Sequence, residues 1–370
     1  MKSRILPFCL MLCFLFPGII CPVMAEEVSV SAHAAVLLEP SGGEIVYSRN
    51  ETERMSMAST TKIMTALVAV ESGNLKKSYA IPAEAVGVEG SSVYLQAGEH
   101  LTLEELLYAV MLESANDAAT AVACLVGGSV DGFAVMMNEK AVQLGLTDTH
   151  FTNPHGLDNP DHYTTALDLA RLTAYALDNP VFAEIASTVR KTIPLGDGEG
   201  TRVLLNHNRL LRQYEDVIGV KTGFTRHSGR CLVSAAERNG VRMIAVTLNA
   251  PDDWQDHRTL LDYGFSRYTS VTLASPGEFS VELPCVGAEN GILTAANTDE
   301  LSMVLPVGTS ITHRLESRGI WFAPVERQQT VGLVRFFANG QEIGTVPLKA
   351  ASAVELPPAK PGILERILDF

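Results

Sequence analysis

In Ala58-Ser59-Thr60-Thr61-Lys62-Ile63-Met64-Thr65-Ala66-Leu67 a hydroxyl and an ammonium stand three residues apart at the start of an apolar helical pattern. Side chains at i and i+3 share a helix face, so Ser59 and Lys62 project together. A serine hydroxyl needs a neighbouring base to act as a nucleophile. A lysine serves when burial and a second cation lower its pKa. The positive end of the helix favours the negative charge that develops near Ser59. Ser-x-x-Lys alone is a weak signal, since residue frequencies give roughly one or two matches in a chain this long. The neighbourhood gives it weight: Met55, Met57 and Ala58 lead in, and Ile63, Ala66, Leu67 and Val70 recur at the spacing of one buried face before Gly73.

Upstream, Ala34 to Leu38 and Glu44 to Tyr47 flank Ser41-Gly42-Gly43, which predicts a β-hairpin. Downstream, Thr102 with Glu105 forms a capping box before an apolar run, and alanine-rich helical patterns continue through Val126 and from Phe133 to Leu146. Thr165 to Leu177 predicts a further helix. Beyond Asn179 the expectation changes to strands: Val217 to Val220, Cys231 to Ala236, and Met243 to Leu248, the last two paired across Asn239-Gly240. A hairpin that must pair with strands late in the chain, with helices packed on the sheet, is an α+β domain. From about Ser275 onward short alternating segments predict a small all-β domain, including Val331 to Phe337 and Ile343 to Leu348 around Asn339-Gly340.

Two further motifs accompany the first. Ser-x-Asn occurs three times, but only Ser114-Ala115-Asn116 interrupts two apolar helices, where polar residues need a reason; the bland alternative for Ser114 is a helix N-cap. Lys221-Thr222-Gly223 ends an apolar β segment and is the most specific of the three. A strand edge there can pair with an extended peptide, Gly223 leaves room for close approach, and Lys221 with Thr222 can bind a carboxylate.

In order and spacing, Ser59-Lys62, Ser114-Asn116 and Lys221-Gly223 resemble the low-molecular-mass penicillin-binding proteins, specifically the D-alanyl-D-alanine carboxypeptidases of serine peptidase family S11. Leu112-Glu-Ser-Ala-Asn-Asp-Ala-Ala119, Phe151-Thr-Asn-Pro-His-Gly-Leu157 and Lys221-Thr-Gly-Phe-Thr225 also look like that family's segments. The resemblance covers about residues 30 to 265. It implies a β-lactamase/transpeptidase-like domain, an antiparallel sheet with helices packed on it, over 26–272, and a C-terminal β-rich domain over 275–357. It also implies that Ser59 attacks the bond between two D-alanines at the end of a peptidoglycan pentapeptide, with Lys62 taking its proton. Ser114 would relay a proton to the departing D-alanine, and Asn116 would hold the substrate amide. Lys221 and Thr222 would bind the terminal carboxylate, and the amides of Ser59 and Phe224 would form an oxyanion hole. β-Lactam antibiotics are the covalent inhibitors this implies. Several family members carry arginines that assist the carboxylate; at those places this chain has His207 and Asp252-Asp253.

A β-lactamase would share the three motifs, but class A enzymes add a glutamate on a loop before the third, where Phe151 to Asp161 resembles the carboxypeptidase segment instead. A catalytically silent cell-wall peptide-binding protein is the other alternative, and intact Ser59, Lys62 and Lys221 argue against it. No HExxH or Glu-x-x-His pair occurs, so no metal or other cofactor is expected, and His155 with His162 is read as stabilising its loop by hydrogen bonds.

Residues 1–25 read as an export signal: Lys2 and Arg4, an apolar run from Ile5 to Phe16, and small Val23 and Ala25. Its removal moves the net charge from −14 to about −16, which disfavours nucleic acid as a partner. Residues 358–370 hold one apolar helical face, Ile363, Leu364, Ile367, Leu368 and Phe370, suited to weak contact with a membrane surface. Cys124, Cys231 and Cys285 form an odd set outside the signal with no CxxC spacing, so no disulfide framework is expected.

Overall fold

The computed structural model describes residues 28–196 and 200–356; the expected export signal and the 358–370 tail lie outside the described residues. The first module is built on a five-stranded antiparallel sheet in the order β2-β1-β9-β8-β7. β1 is Ala34–Glu39, β2 Glu44–Arg49, β7 Val217–Thr225, β8 Gly229–Arg238 and β9 Val241–Leu248. Val36 of β1 pairs with Val246 of β9, which closes the early hairpin onto the late strands as the sequence requires. Asn239 and Gly240, both at positive φ (51° and 76°), make the two-residue turn between β8 and β9.

Both faces of this sheet are covered, which the alternation within β1 makes plain. Ala34, Val36 and Leu38 enter one apolar core with the helices that follow the first hairpin. Ala35 and Leu37 enter a second, with Leu260 and Leu261. The first core is formed by α1 (Lys62–Glu71), α2 (Leu103–Leu112), α3 (Asn116–Gly127), α4 (Val130–Gln143), α5 (Ala166–Leu177) and α6 (Pro180–Ser187). The second lies under α8 (Asp253–Arg267). The small hairpins β3 (Ser78–Ala80) with β4 (His100–Thr102) and β5 (Arg190–Pro194) with β6 (Thr201–Leu205) add Leu101, Ile193 and Leu204 to the first core, and the short α7 (Leu210–Gln213) adds Leu210 to the second.

Helix α6 corrects the expectation that strands take over past Asn179. Asn179 Oδ1 accepts from the amides of Val181 and Phe182, and Pro180 occupies the first turn. This is a start signal that the sequence contained. The Thr102 capping box is present in full, with the Glu105 amide bonded to Thr102 Oγ1 and the Glu105 carboxylate to the Thr102 amide.

The second module contains a six-stranded sheet ordered β14-β16-β17-β12-β11-β15 and a two-stranded pair β10-β13. In chain order these are β10 Tyr268–Ala274, β11 Ser280–Val286, β12 Ile292–Asn297, β13 Leu301–Pro306, β14 Ile311–Ser317, β15 Trp321–Phe322, β16 Thr330–Ala338 and β17 Gln341–Ala350. They share one apolar core that includes Leu273, Ala274, Val334 and Leu348. We place the division between modules after Arg267, ahead of the expected 272–275, because β10 pairs with β13 and carries Leu273 and Ala274 into the second core. Asn339-Gly340 turns β16 into β17 with the same positive-φ pair seen at Asn239-Gly240. Cys124, Cys231 and Cys285 are all free thiols.

One buried carboxylate fixes the approach to α3. Asp117 is 1% exposed, and it accepts from Ser92 Oγ at 2.6 Å and from the amides of Val93, Leu95 and Ala118. It thereby ties the segment around Ser91 to the helix that carries Asn116. Replacing Asp117 with Ala strands those donors in the interior. A loss of about 3 kcal/mol of unfolding free energy is expected in urea titration, because unmet buried donors lose their full solvation.

Candidate active site

Ser59 sits in a 3-10 turn, Ala58–Thr61, immediately before α1. The turn is held by its own threonines: Thr60 Oγ1 donates to Met57 O at 2.6 Å and Thr61 Oγ1 to Ala58 O at 2.8 Å. Ala58, at φ 46°, adopts a left-handed conformation uncommon for a residue with a side chain. Ser59 is left half-buried, and Lys62, at the first position of α1, is completely buried.

The Lys62 amine has three oxygen neighbours: Ser59 Oγ at 3.0 Å, Asn116 Oδ1 at 2.7 Å and His155 O at 2.6 Å. None of the three is charged. Burial is the main cause that pushes the Lys62 pKa well below its ordinary value, and the nearby Lys221 adds to it, against a smaller pull from Asp117. A neutral lysine has two N–H groups and one lone pair. Asn116 Oδ1 and His155 O can only accept, so they take the two hydrogens, and the lone pair is left for the Ser59 hydroxyl. The orientation of Asn116 is fixed from its other end, where Nδ2 donates to Glu89 O at 2.6 Å.

The structure thus brings Ser59, Lys62 and Asn116 into direct contact. Ser114 holds φ 60° between α2 and α3 and is not a helix cap, since Ala115 occupies that position. It lines the same cleft as Ser59. Lys221 is buried, with Nζ donating to Thr222 O at 3.0 Å, and its pKa falls to about 7 through burial, partly opposed by Glu113. Thr222, Gly223 and Phe224 form the opposite wall along the edge strand β7. A Cβ on Gly223 would stand 3.0 Å from the Ser59 amide nitrogen and 3.1 Å from Ala58 Cβ, so only glycine lets the strand pass this close to the serine turn. Phe224 is 65% exposed at the rim of the cleft. The cleft encloses about 360 Å3. A larger hollow of about 670 Å3 near Val28 and Arg267 contains none of the motif residues.

Three contributors escaped sequence reasoning. One is the carbonyl of His155, because main-chain groups carry no sequence label; the others are Arg209 and Arg230, which also line the cleft. The His155 loop is set by Asn153, whose Oδ1 accepts from the Gly156 amide at 2.7 Å and whose Nδ2 donates to Leu157 O at 3.1 Å. His162 holds the loop to the serine turn, its Nε2 lying 2.7 Å from Thr61 Oγ1 while its Nδ1 accepts from the Thr152 amide at 3.0 Å. Hydrogen bonding is therefore the role of His162, and the His155 ring likewise accepts from the Leu157 amide. Burial lowers the pKa of His155 to about 3 and of His162 to about 4. Among the described residues no group of three or more His, Cys, Asp or Glu side chains could hold a metal ion.

Comparison with known proteins first gives the class. Penicillin-binding protein 5 from Haemophilus influenzae shares the fold with a TM-score of 0.66 and 28% identity over 88% of this chain and 98% of that one. A family model described as D-alanyl-D-alanine carboxypeptidase matches residues 22–252. The carboxypeptidase DacF of Bacillus subtilis is 30% identical over 88% of this chain and 86% of its own length. DacC of Escherichia coli is 32% identical over 93% and 88%. The chain belongs to peptidase family S11, the D-alanyl-D-alanine carboxypeptidases.

Gly156 is the residue on which the serine turn and the His155 loop meet. It holds φ 89°, and an added Cβ would fall 1.9 Å from Ala58 O. Gly156→Ala is expected to push the loop off the turn, with a loss of at least about 2 kcal/mol of stability and of the Lys62–His155 contact. Thermal unfolding and the rate of covalent penicillin labelling should both fall.

Proposed function

We propose that this chain is a serine-type D-alanyl-D-alanine carboxypeptidase that removes the terminal D-alanine from peptidoglycan stem peptides. The observation that carries this reading is the buried Lys62 amine, 3.0 Å from Ser59 Oγ and flanked otherwise by two obligate acceptors. The peptide lies along the edge of β7, beside Thr222 and Gly223. Ser59 Oγ attacks the carbonyl between the two D-alanines as its proton passes to Lys62. The tetrahedral oxyanion is received by the amides of Ser59 and Phe224. Its collapse breaks the peptide bond, the departing D-alanine amine takes through Ser114 the proton that Lys62 had received, which returns Lys62 to its neutral form, and the shortened peptide remains as an ester on Ser59. Water, deprotonated by the neutral amine of Lys62, cleaves that ester and regenerates the serine. Lys221, with Thr222, supplies positive potential for the terminal carboxylate. Asn116 orients Lys62; to hold the substrate amide as well, its Nδ2 would exchange the bond to Glu89 O.

β-Lactams enter the same site and acylate Ser59. With the substrate outside the cytoplasmic membrane and residues 1–25 reading as an export signal, the enzyme acts on the outer side of that membrane.

Ser59→Ala should abolish D-alanine release from a diacyl-D-Ala-D-Ala peptide and remove the covalent penicillin adduct; unchanged release would sink the assignment. Rapid multiple turnover of penicillin by the wild-type protein would instead favour a β-lactamase. Lys221→Met tests the electrostatics. The Lys221 cation lowers the Lys62 pKa, so its removal lets that pKa rise, and the acid limb of the pH profile for penicillin acylation should move to higher pH. An unmoved limb would exclude this coupling.

A further inference from the structure

The places where an arginine was expected to meet the substrate carboxylate hold His207 and Asp252-Asp253, and His207 Nε2 lies 3.1 Å from Glu113 Oε2. Two other arginines reach the same cleft from different positions. Arg230 stands opposite Phe224 in the β7–β8 register. Its Nε and Nη2 both donate to Asp253 Oδ1, at 3.0 and 2.9 Å, and its Nη1 makes no hydrogen bond to a described residue. Asp253 is 2% exposed, and the same oxygen accepts from the Trp254 amide at 2.9 Å, so the carboxylate is a fixed anchor. The Arg209 guanidinium lies 5.2 Å from the centroid of the Trp254 ring, and that of Arg230 lies 5.8 Å from the same ring. Arg209 has no carboxylate partner among the described residues.

The two guanidiniums therefore share one indole while only Arg230 is paired with a carboxylate, which leaves an excess positive charge beside Thr222 in a chain whose net charge is −14. A planar guanidinium with free N–H groups matches a carboxylate better than a lysine does.

We propose that Arg209 and Arg230 form the site for the terminal carboxylate of the peptide substrate, with Asp253 and Trp254 as positioning residues. This rests on the carboxypeptidase reading and specifies how that site demands a free C-terminus. Arg230, braced by Asp253, offers Nη1, while Arg209, held only by stacking, moves to close on the second oxygen. The requirement for carboxylate recognition is then met from β8 and the segment before α7, with positions 207 and 252–253 playing no direct part.

The test compares two substrates, a diacyl peptide ending in D-Ala-D-Ala and the same peptide with a C-terminal amide. The readout is the ratio of their kcat/KM values. In Arg209→Gln and in Arg230→Gln the preference for the free carboxylate should fall about tenfold, with a larger fall in the double variant, as expected for loss of a charge-assisted hydrogen bond. Arg230→Lys should recover only part of it. A merely structural role would lower both substrates alike and leave the ratio unchanged, and an unchanged ratio in the double variant overturns the proposal. If Arg230→Gln fails to fold, Arg209→Gln decides alone, because the Arg209 side chain makes no hydrogen bond to a described residue and the bond its carbonyl accepts from the Arg212 amide is kept in the variant. A wild-type protein that releases neither D-alanine nor its amide overturns the carboxypeptidase reading, an outcome distinct from an active enzyme with an indifferent clamp.

Discussion

Lys62 is fully buried with no carboxylate of a described residue in contact, its amine bounded by Ser59 Oγ, Asn116 Oδ1 and His155 O. A buried ammonium without a counter-charge is unfavourable, so the environment lowers the lysine's pKa and shifts the balance toward the neutral amine, the form that can take a proton. Everything near it serves that balance. Asn116 comes from the start of α3, His155 from a loop more than ninety residues away, and Ser59 from the turn below. The enclosing groups are acceptors, so they orient the two N–H bonds without supplying the charge that would lock the lysine in its protonated state.

Enclosure of this kind requires three chain segments to converge tightly. Asp158 Oδ1 accepts from Ser56 Oγ and from Thr225 Oγ1, each at 3.0 Å, and so joins the lead-in to the serine turn, the His155 loop and the end of β7. Gly156 and Gly223 then allow backbone to approach within van der Waals distance of that turn from two sides. The five-stranded sheet supports the arrangement because β7 is its edge: paired on one side with β8, it has its other edge for the cleft. An unpaired strand edge of this kind is one to which an extended peptide can add through main-chain hydrogen bonds.

Much of this was legible in the sequence because it is written in local chemistry. The hairpin at Gly43, the two Asn-Gly turns, the Thr102 capping box and the period of the helices each follow from a few adjacent residues. Ser59, Lys62, Ser114 and Lys221 stand out in the sequence because their side chains are polar where their neighbours are apolar. What stayed hidden was relational. The His155 carbonyl has no side-chain signature. Arg209 and Arg230 look like ordinary surface cations until the β7–β8 register sets Arg230 opposite Phe224 and α8 brings the Trp254 ring within reach of both. The helix at Pro180 was legible through Asn179 and was overlooked because the surrounding segments change to strands.

The same burial that prepares the lysines shapes the protein's response to acid. His155, His162 and His257 have folded-state pKa values of about 3, 4 and 3, below the ordinary 6.5. The unfolded chain therefore binds protons first as pH falls, and stability is lost progressively from about pH 6.5 toward about 3. Lys221, lowered from 10.5 to about 7, contributes in the same direction across the alkaline range: stability rises with pH between those values. Protonation of His155 would also set a cation beside Lys62 and depress its basicity further, while straining the loop that supplies the carbonyl. Keeping that imidazole neutral is thus a condition on the geometry around Lys62 as much as on folding, and burial behind the serine turn imposes both at once.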